Sequence, residues 1–229
     1  MDCRIRTEYK NGIRYYVLDE GKFPSVTSII HETLPEPDEL KAWRITTPNW
    51  KSLLKRYKYE GEFIHYRILN RYAIRTLEPP EIDPSLLDDE EFIIAVETGE
   101  LMWDEMGLNI NPIVVEEVLI NRKHRYAGRV DMIAEIDGQT VVIDLKRHFD
   151  PARKHFLLQV GAYAYAYGLD KVDKGIVVSL CPDQYRNPNL EAKVVEISKE
   201  ELNWFASEFL TLVEVFHEKE EGSRKNPEL

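Results

Sequence analysis

A mixed α/β fold is what the chain predicts, on three observations. Apolar positions in the N-terminal half recur at helical spacing. Residues 113 to 180 then run strand, tight hairpin, helix, strand. With 229 residues, 43% of them hydrophobic, there is material for one domain with a sizeable core, or for a core carrying a helical appendage. No apolar run approaches a membrane span, and MDCRIRTEYK at the start lacks the apolar stretch of a signal peptide, so a cytoplasmic protein is expected. Two cysteines, Cys3 and Cys181, cannot build a disulfide framework.

In chain order, residues 4–9 and 13–18 read as strands around Asn11-Gly12, a hairpin turn signal. FPSVTSIIHETL follows as a helix start, with Ser25 or Thr27 as cap. Asp38 to Ile45 and Trp50 to Tyr59 read as short helices separated by Thr47-Pro48-Asn49, and residues 61 to 76 carry further apolar residues near helical spacing. After the proline-rich stretch from Leu77 to Pro84, Asp88 to Met106 is expected to be helical, with Phe92, Ile93, Val96, Leu101 and Met102 inward. Ile113 to Ile120 is a strand. Asp137-Gly138, between two apolar runs, marks a two-residue hairpin. Pro151 opens a helix that Gly168 ends. GIVVSL at 175–180 suits a buried strand, and Lys193 to Ile197 an edge strand. Ser198 and Glu201 form a capping-box pattern for a last helix to about Lys219, and GSRKNPEL should fray.

The chemistry concentrates on the second hairpin. Counting back from a closing pair of Ile136 and Gln139 sets Asp131 directly across from Asp144, as a closely spaced non-hydrogen-bonded pair. Two carboxylates so placed repel. A divalent cation with hard oxygen ligands would hold them together. Period-two alternation puts Lys146 on the same face as Asp144. Two acids and a lysine converging at one end of a hairpin suit metal-assisted phosphodiester hydrolysis.

GRVD at 128–131, DLK at 144–146 and QVGAY at 159–163 resemble, in that order, the GxxD, DxK and QxxxY motifs of the PD-(D/E)XK nuclease superfamily, in its RecB-like and Cas4-like branch. PSVT at 24–27, Trp43-Arg44 and GEFIH at 61–65 resemble the N-terminal half of phage and mitochondrial single-strand exonucleases of the same branch. The resemblance implies a restriction-endonuclease-like core, with a central mixed sheet flanked by helices. Residues 111–229 would form that core, and 1–110 a hairpin and helical layer over the cleft, in one compact unit. The iron–sulfur cluster of typical Cas4 proteins needs four cysteines, which this chain lacks. A small stand-alone nuclease of this kind would fit a viral, phage or archaeal source.

The resemblance also assigns roles. Mg²⁺ or Mn²⁺ would be held by Asp131, Asp144 and the Leu145 carbonyl, with His65 and Glu116 assisting. Strand alternation lets only one of Glu116 and Glu117 face the site, and spacing to Ala127-Gly128 favours Glu116. Water made acidic by the cation would attack phosphorus in line while Lys146 orients it. Gln159 would lie near the metal, and Tyr163, one turn on, would touch nucleic acid or support the lysine. Arg129, Arg147, Arg153 and Lys154 surround the motif and are candidates for phosphate contacts. The implied partner is DNA, single-stranded or at an end, cut to a 5′-phosphate and a 3′-hydroxyl. A structure- or sequence-specific endonuclease on the same core is a second reading, and a nucleic-acid-binding protein without turnover a third.

A net charge of −11 is unusual for a DNA enzyme, but it is unevenly spread. Residues 78–105 hold eleven acids and no base, while 51–76 hold seven bases and two acids. Two oppositely charged helices packed together, or a basic groove facing DNA, both account for this pattern. No Walker-type loop, dinucleotide fingerprint, GxSxG elbow or zinc-spaced cysteine set occurs.

Overall fold

The computed structural model describes residues 5–148, 154–187, 189 and 193–225. Strands β1 (Arg6–Lys10), β2 (Ile13–Leu18) and β3 (Gly21–Pro24) form a small antiparallel sheet. Helices α1 (Val26–Thr33), α2 (Asp38–Thr46), α3 (Trp50–Leu69) and α4 (Glu90–Glu105) follow. Then come β4 (Ile110–Asn121), β5 (Tyr126–Ile136), β6 (Gln139–Lys146), α5 (Lys154–Tyr167), β7 (Lys174–Ser179), β8 (Lys193–Ile197) and α6 (Lys199–Lys225). The second sheet has the order β4-β5-β6-β7-β8, antiparallel except for the parallel β6–β7 pair. A parallel pair needs a long crossover, and α5 lies in that connection. The fold is therefore mixed α/β, as the residue pattern predicts. No helix among the described residues is long and apolar enough to cross a membrane.

Local rules account for the elements. Asp137 and Gly138 both take positive φ, 52° and 77°, which a two-residue hairpin of the favoured twist demands. Ile136 pairs with Gln139, as the turn position requires. Ser25 Oγ accepts from Ser28 N to cap α1. Ser198 and Glu201 exchange hydrogen bonds at the start of α6 in a reciprocal capping box.

Several elements depart from the sequence expectation. The two segments expected at 50–59 and 61–76 are one helix, α3, which runs through Gly61. Glu60, almost fully buried, is bridged there by Arg56 one turn before it and by Arg147 from the end of β6, which ties both halves into one rod. In α4 the buried face is Phe92, Ala95, Val96, Gly99, Met102 and Trp103, so Leu101 and Ile93 lie off it, at 54% and 39% exposure. The α6 helix continues to Lys225, past the expected end. Pro151 and Arg153 lie outside the described residues.

The five-stranded sheet is covered on both faces. One core joins α1, α5 and α6 to Val130, Ile133, Val142 and Val177; the other joins α3 and α4 to Met132, Ala134, Ile143, Leu145 and Val178. The first 110 residues are thus not one layer: α1 belongs to one face, α3 and α4 to the other. The reason is that α1 buries Val26, Ile29 and Ile30 completely or nearly so against α5 and α6.

Three elements meet at Gly128 in β5. A Cβ there would stand 2.6 Å from Tyr163 Cε1 and 2.8 Å from Val26 Cγ2, closer than atoms can pack. Gly128→Ala should lower stability by about 1–3 kcal/mol, the usual cost of overpacking, read as a lower urea midpoint at unchanged slope.

Candidate metal centre

The site forms where strand β5 loses step. On β5, Val130 and Ile133 belong to the α5 side of the sheet, whereas Met132, Ala134 and Ile136 face α3 and α4. Strict alternation cannot place 130 and 133 on one face, so the parity shifts by one at Asp131. Neighbouring β4 does the same. Val114 and Leu119 pack against one core although they differ in parity, and Glu116 between them takes a φ of +52°. Pairs Val115↔Met132 and Glu117↔Val130 flank Glu116 and set it opposite Asp131. A left-handed conformation in a non-glycine strand residue costs on the order of 1–3 kcal/mol, and such residues cluster at functional sites.

The β5–β6 register is the expected one as far as Met132↔Ile143, the last ladder pair. Beyond it the expected facing pair of Asp131 and Asp144 gives way. Asp131 Oδ2 accepts a hydrogen bond from Leu145 N at 2.7 Å, so its carboxylate substitutes for a ladder partner. On β6 alternation is unbroken: Asp144 and Lys146 share the α5 side, with Lys146 Nζ 2.6 Å from Asp144 Oδ2.

Side chains from three elements converge on Asp131. The α3 helix presents His65, whose Nδ1 is 3.7 Å from Asp131 Oδ2. Ligand atoms of His65, Glu116 and Asp131 all lie within 4.8 Å of one another, and each residue is only partly buried. Asp144 is not one of those three. It is wholly buried behind them, held by Lys146 and by Gln159 Nε2, which donates to Oδ1 at 3.1 Å. Gln159 Nε2 also donates to the Tyr163 hydroxyl at 2.9 Å. Tyr163 is 2% exposed, so it reaches no ligand from solvent, and its hydroxyl positions Gln159.

Of the two glutamates, Glu116 faces the site. Arg129 Nη1 donates to its Oε2 at 3.2 Å. Arg147 is engaged elsewhere, by Glu60 and Asp183, and lies over the Tyr57 ring. Lys154 pairs with Glu208. Arginines of α3 and of the turn after it are similarly taken up: Arg56 pairs with Asp89, Arg67 with Glu100, and Arg71, two residues past the helix, with Glu100 and Asp104. Two oppositely charged helices packed together therefore account for the uneven charge. Residue reading missed Phe156, whose ring lies 5.2 Å beneath the Lys146 ammonium. It precedes Gln159 by one helical turn, a spacing that was available in the sequence.

Burial dominates the electrostatics. It pushes the Glu116 carboxyl up to about 7, with the Asp131 charge adding to the effect. It pushes Asp144 up to about 6 against the pull of Lys146, and raises Asp131 as well. Burial also lowers His65 to about 4, helped by Lys146, which leaves the imidazole neutral at physiological pH with a lone pair to donate. Two dehydrated carboxyls, Glu116 and Asp131, and the neutral His65 imidazole make a donor set that a small divalent cation fits.

No protein-family model matches the sequence, and no curated protein does. A solved structure titled "Crystal structure of SSO0001" is 21% identical, with 69% of this chain and 70% of that one covered and a TM-score of 0.30. A likeness that weak carries no argument about fold or activity.

The Glu116 shift has a measurable sign. A carboxyl whose folded value, about 7, exceeds the ordinary 4.5 binds its proton more tightly in the folded state, so its contribution falls as pH rises through that window. His65 acts oppositely between about 4 and 6.5. In chelator, the stability of wild type relative to Glu116→Gln should therefore decline from pH 4.5 to 7, and relative to His65→Gln should increase from pH 4 to 6.5, both read from thermal melts.

Proposed function

We propose that this chain is a metal-dependent deoxyribonuclease on the PD-(D/E)XK plan that its motifs resemble. The observation that carries the reading is the convergence of His65, Glu116 and Asp131 within 4.8 Å beside the Asp144–Lys146 pair. His65, Glu116 and Asp131 would hold Mg²⁺ or Mn²⁺, with Asp144 and the Leu145 carbonyl completing the donor set. Such an ion acidifies water and neutralises phosphodiester charge when bound.

The residues divide the remaining work. Lys146 keeps an ammonium where charge grows on the phosphate, oriented by Asp144 at 2.6 Å and by the Phe156 ring below. Gln159 fixes the Asp144 carboxylate, and Tyr163 fixes Gln159. His65, neutral and anchored on the rigid α3, adds a donor without adding charge. Single-stranded DNA or a DNA end is the preferred substrate, on resemblance to the exonuclease branch.

Two experiments test this. Mn²⁺ or Mg²⁺ at a hundredfold excess over its Kd should stabilise the protein by about 2.7 kcal/mol, and Asp131→Asn should lose most of that gain in a thermal-shift titration. With Mn²⁺ and end-labelled single- and double-stranded oligonucleotides, wild type should release 5′-phosphorylated products. Lys146→Ala should be slower by roughly 10²–10³-fold and Asp144→Ala inactive. If wild type cuts neither substrate while binding both, a binding protein without turnover is the better description.

A further inference from the structure

A cavity of about 310 Å³ opens between α1, α2 and α5, directly beside the candidate centre. Ile30, Leu34, Leu40 and Phe156 give it apolar walls, and His31 and His155 bring polar ring edges to it. Two of its lining residues are shared with the centre. Gln159 lines the cavity and donates to Asp144; Phe156 lines it and lies beneath the Lys146 ammonium. Any group seated there is therefore one side chain away from the Asp144–Lys146 pair.

We propose that this cavity receives one unpaired nucleobase of the substrate strand, next to the phosphate being cut; this rests on the nuclease reading for its placement. The volume is at the small end of ligand pockets, which begin near ~300 Å³, so it has room for a flat heterocycle and none for a duplex. A flat aromatic ring with aliphatic walls offers stacking, which every base can use, while His31 offers a hydrogen-bond partner at the base edge. The rim is built in advance. Arg44 reaches back from α2 to Glu36 at 2.6 Å and lies over the Trp50 ring, holding the Pro35-Glu36-Pro37 turn against the cavity. A base that is paired in a helix cannot enter, so the cavity itself selects for unpaired strands or frayed ends.

The test reads base capture separately from cutting. Single-stranded oligonucleotides carrying one 2-aminopurine or one abasic position, moved along the strand, are titrated with Ca²⁺ and the full chain, then incubated with Mn²⁺. The expected result is one position at which the probe's fluorescence changes on binding and an abasic site weakens affinity roughly tenfold. Leu40→Trp, which fills the cavity from α2, should abolish both effects. Phe156→Leu, which removes the aromatic wall at similar volume, should do the same if Leu40→Trp melts early. Base capture is overturned if no position is sensitive, or if both variants keep the wild-type selectivity. A chain that cuts nothing in Mn²⁺ yet shows position-specific capture would sink the nuclease reading and support the cavity. A chain that cuts but ignores the abasic site would sink the cavity alone.

Discussion

The change of step at Asp131 is the constraint on which the rest of the centre depends. A regular strand would send residue 131 to one face and leave Glu116 across the ladder as an ordinary partner. Instead β4 and β5 break alternation together, Glu116 by adopting φ +52° and Asp131 by offering its carboxylate to Leu145 N. The sheet thereby brings side chains toward the seam between its two cores, where His65 arrives from one side and Gln159 and Lys146 from the other. Desolvating an ion costs several kcal/mol even after relaxation, and three acids gather here. Lys146 and Arg129 offset part of that cost. The raised carboxyl values are the remainder, kept in a form that a cation can reclaim.

A centre assembled from two cores needs those cores held in fixed relation, and buried ion pairs do much of that holding. Glu60 on α3 is gripped by Arg56 and by Arg147, the residue after Lys146, and Arg147 also reaches Asp183. The helix that carries His65 is thus fastened to the end of the strand that carries Asp144 and Lys146. Removing one member of such a network leaves a buried charge without its partner, so its worth is more in geometry than in net stability. The same α3 is lashed to α4 by Arg56–Asp89 and Arg67–Glu100, and the turn after α3 by Arg71–Asp104.

Much of the fold was legible because short-range rules decide it. Asp137-Gly138 fixed the hairpin register through the turn, and Ser198 with Glu201 marked the α6 start through capping. Period two correctly set Lys146 beside Asp144, because β6 is a regular strand. The same rule could not foresee that β5 changes step, so the facing of Asp131 and Asp144 read from it did not carry through. Nothing local in Glu116-Glu117 says which of them takes positive φ. Charge counts were equally silent on pairing: nothing in them says that Arg56 and Arg67 meet the acids Asp89 and Glu100. The division of α1 from α3 and α4 between two faces is a tertiary matter, decided by which apolar stripe finds which side of the sheet.

That lashing of α3 to α4 bears on how a polyanion would be held. Binding driven by phosphate contacts releases condensed counterions and weakens steeply with salt, by a slope set by the number of neutralised phosphates. Here Arg56, Arg67, Arg71 and Arg147 already have carboxylate partners, and the chain as a whole carries −11. A nucleic acid docking on this surface would displace few ions and meet a repulsive far field. Its attachment would draw on coordination and stacking at close range, and ionic strength would matter little, or even help by damping the long-range repulsion.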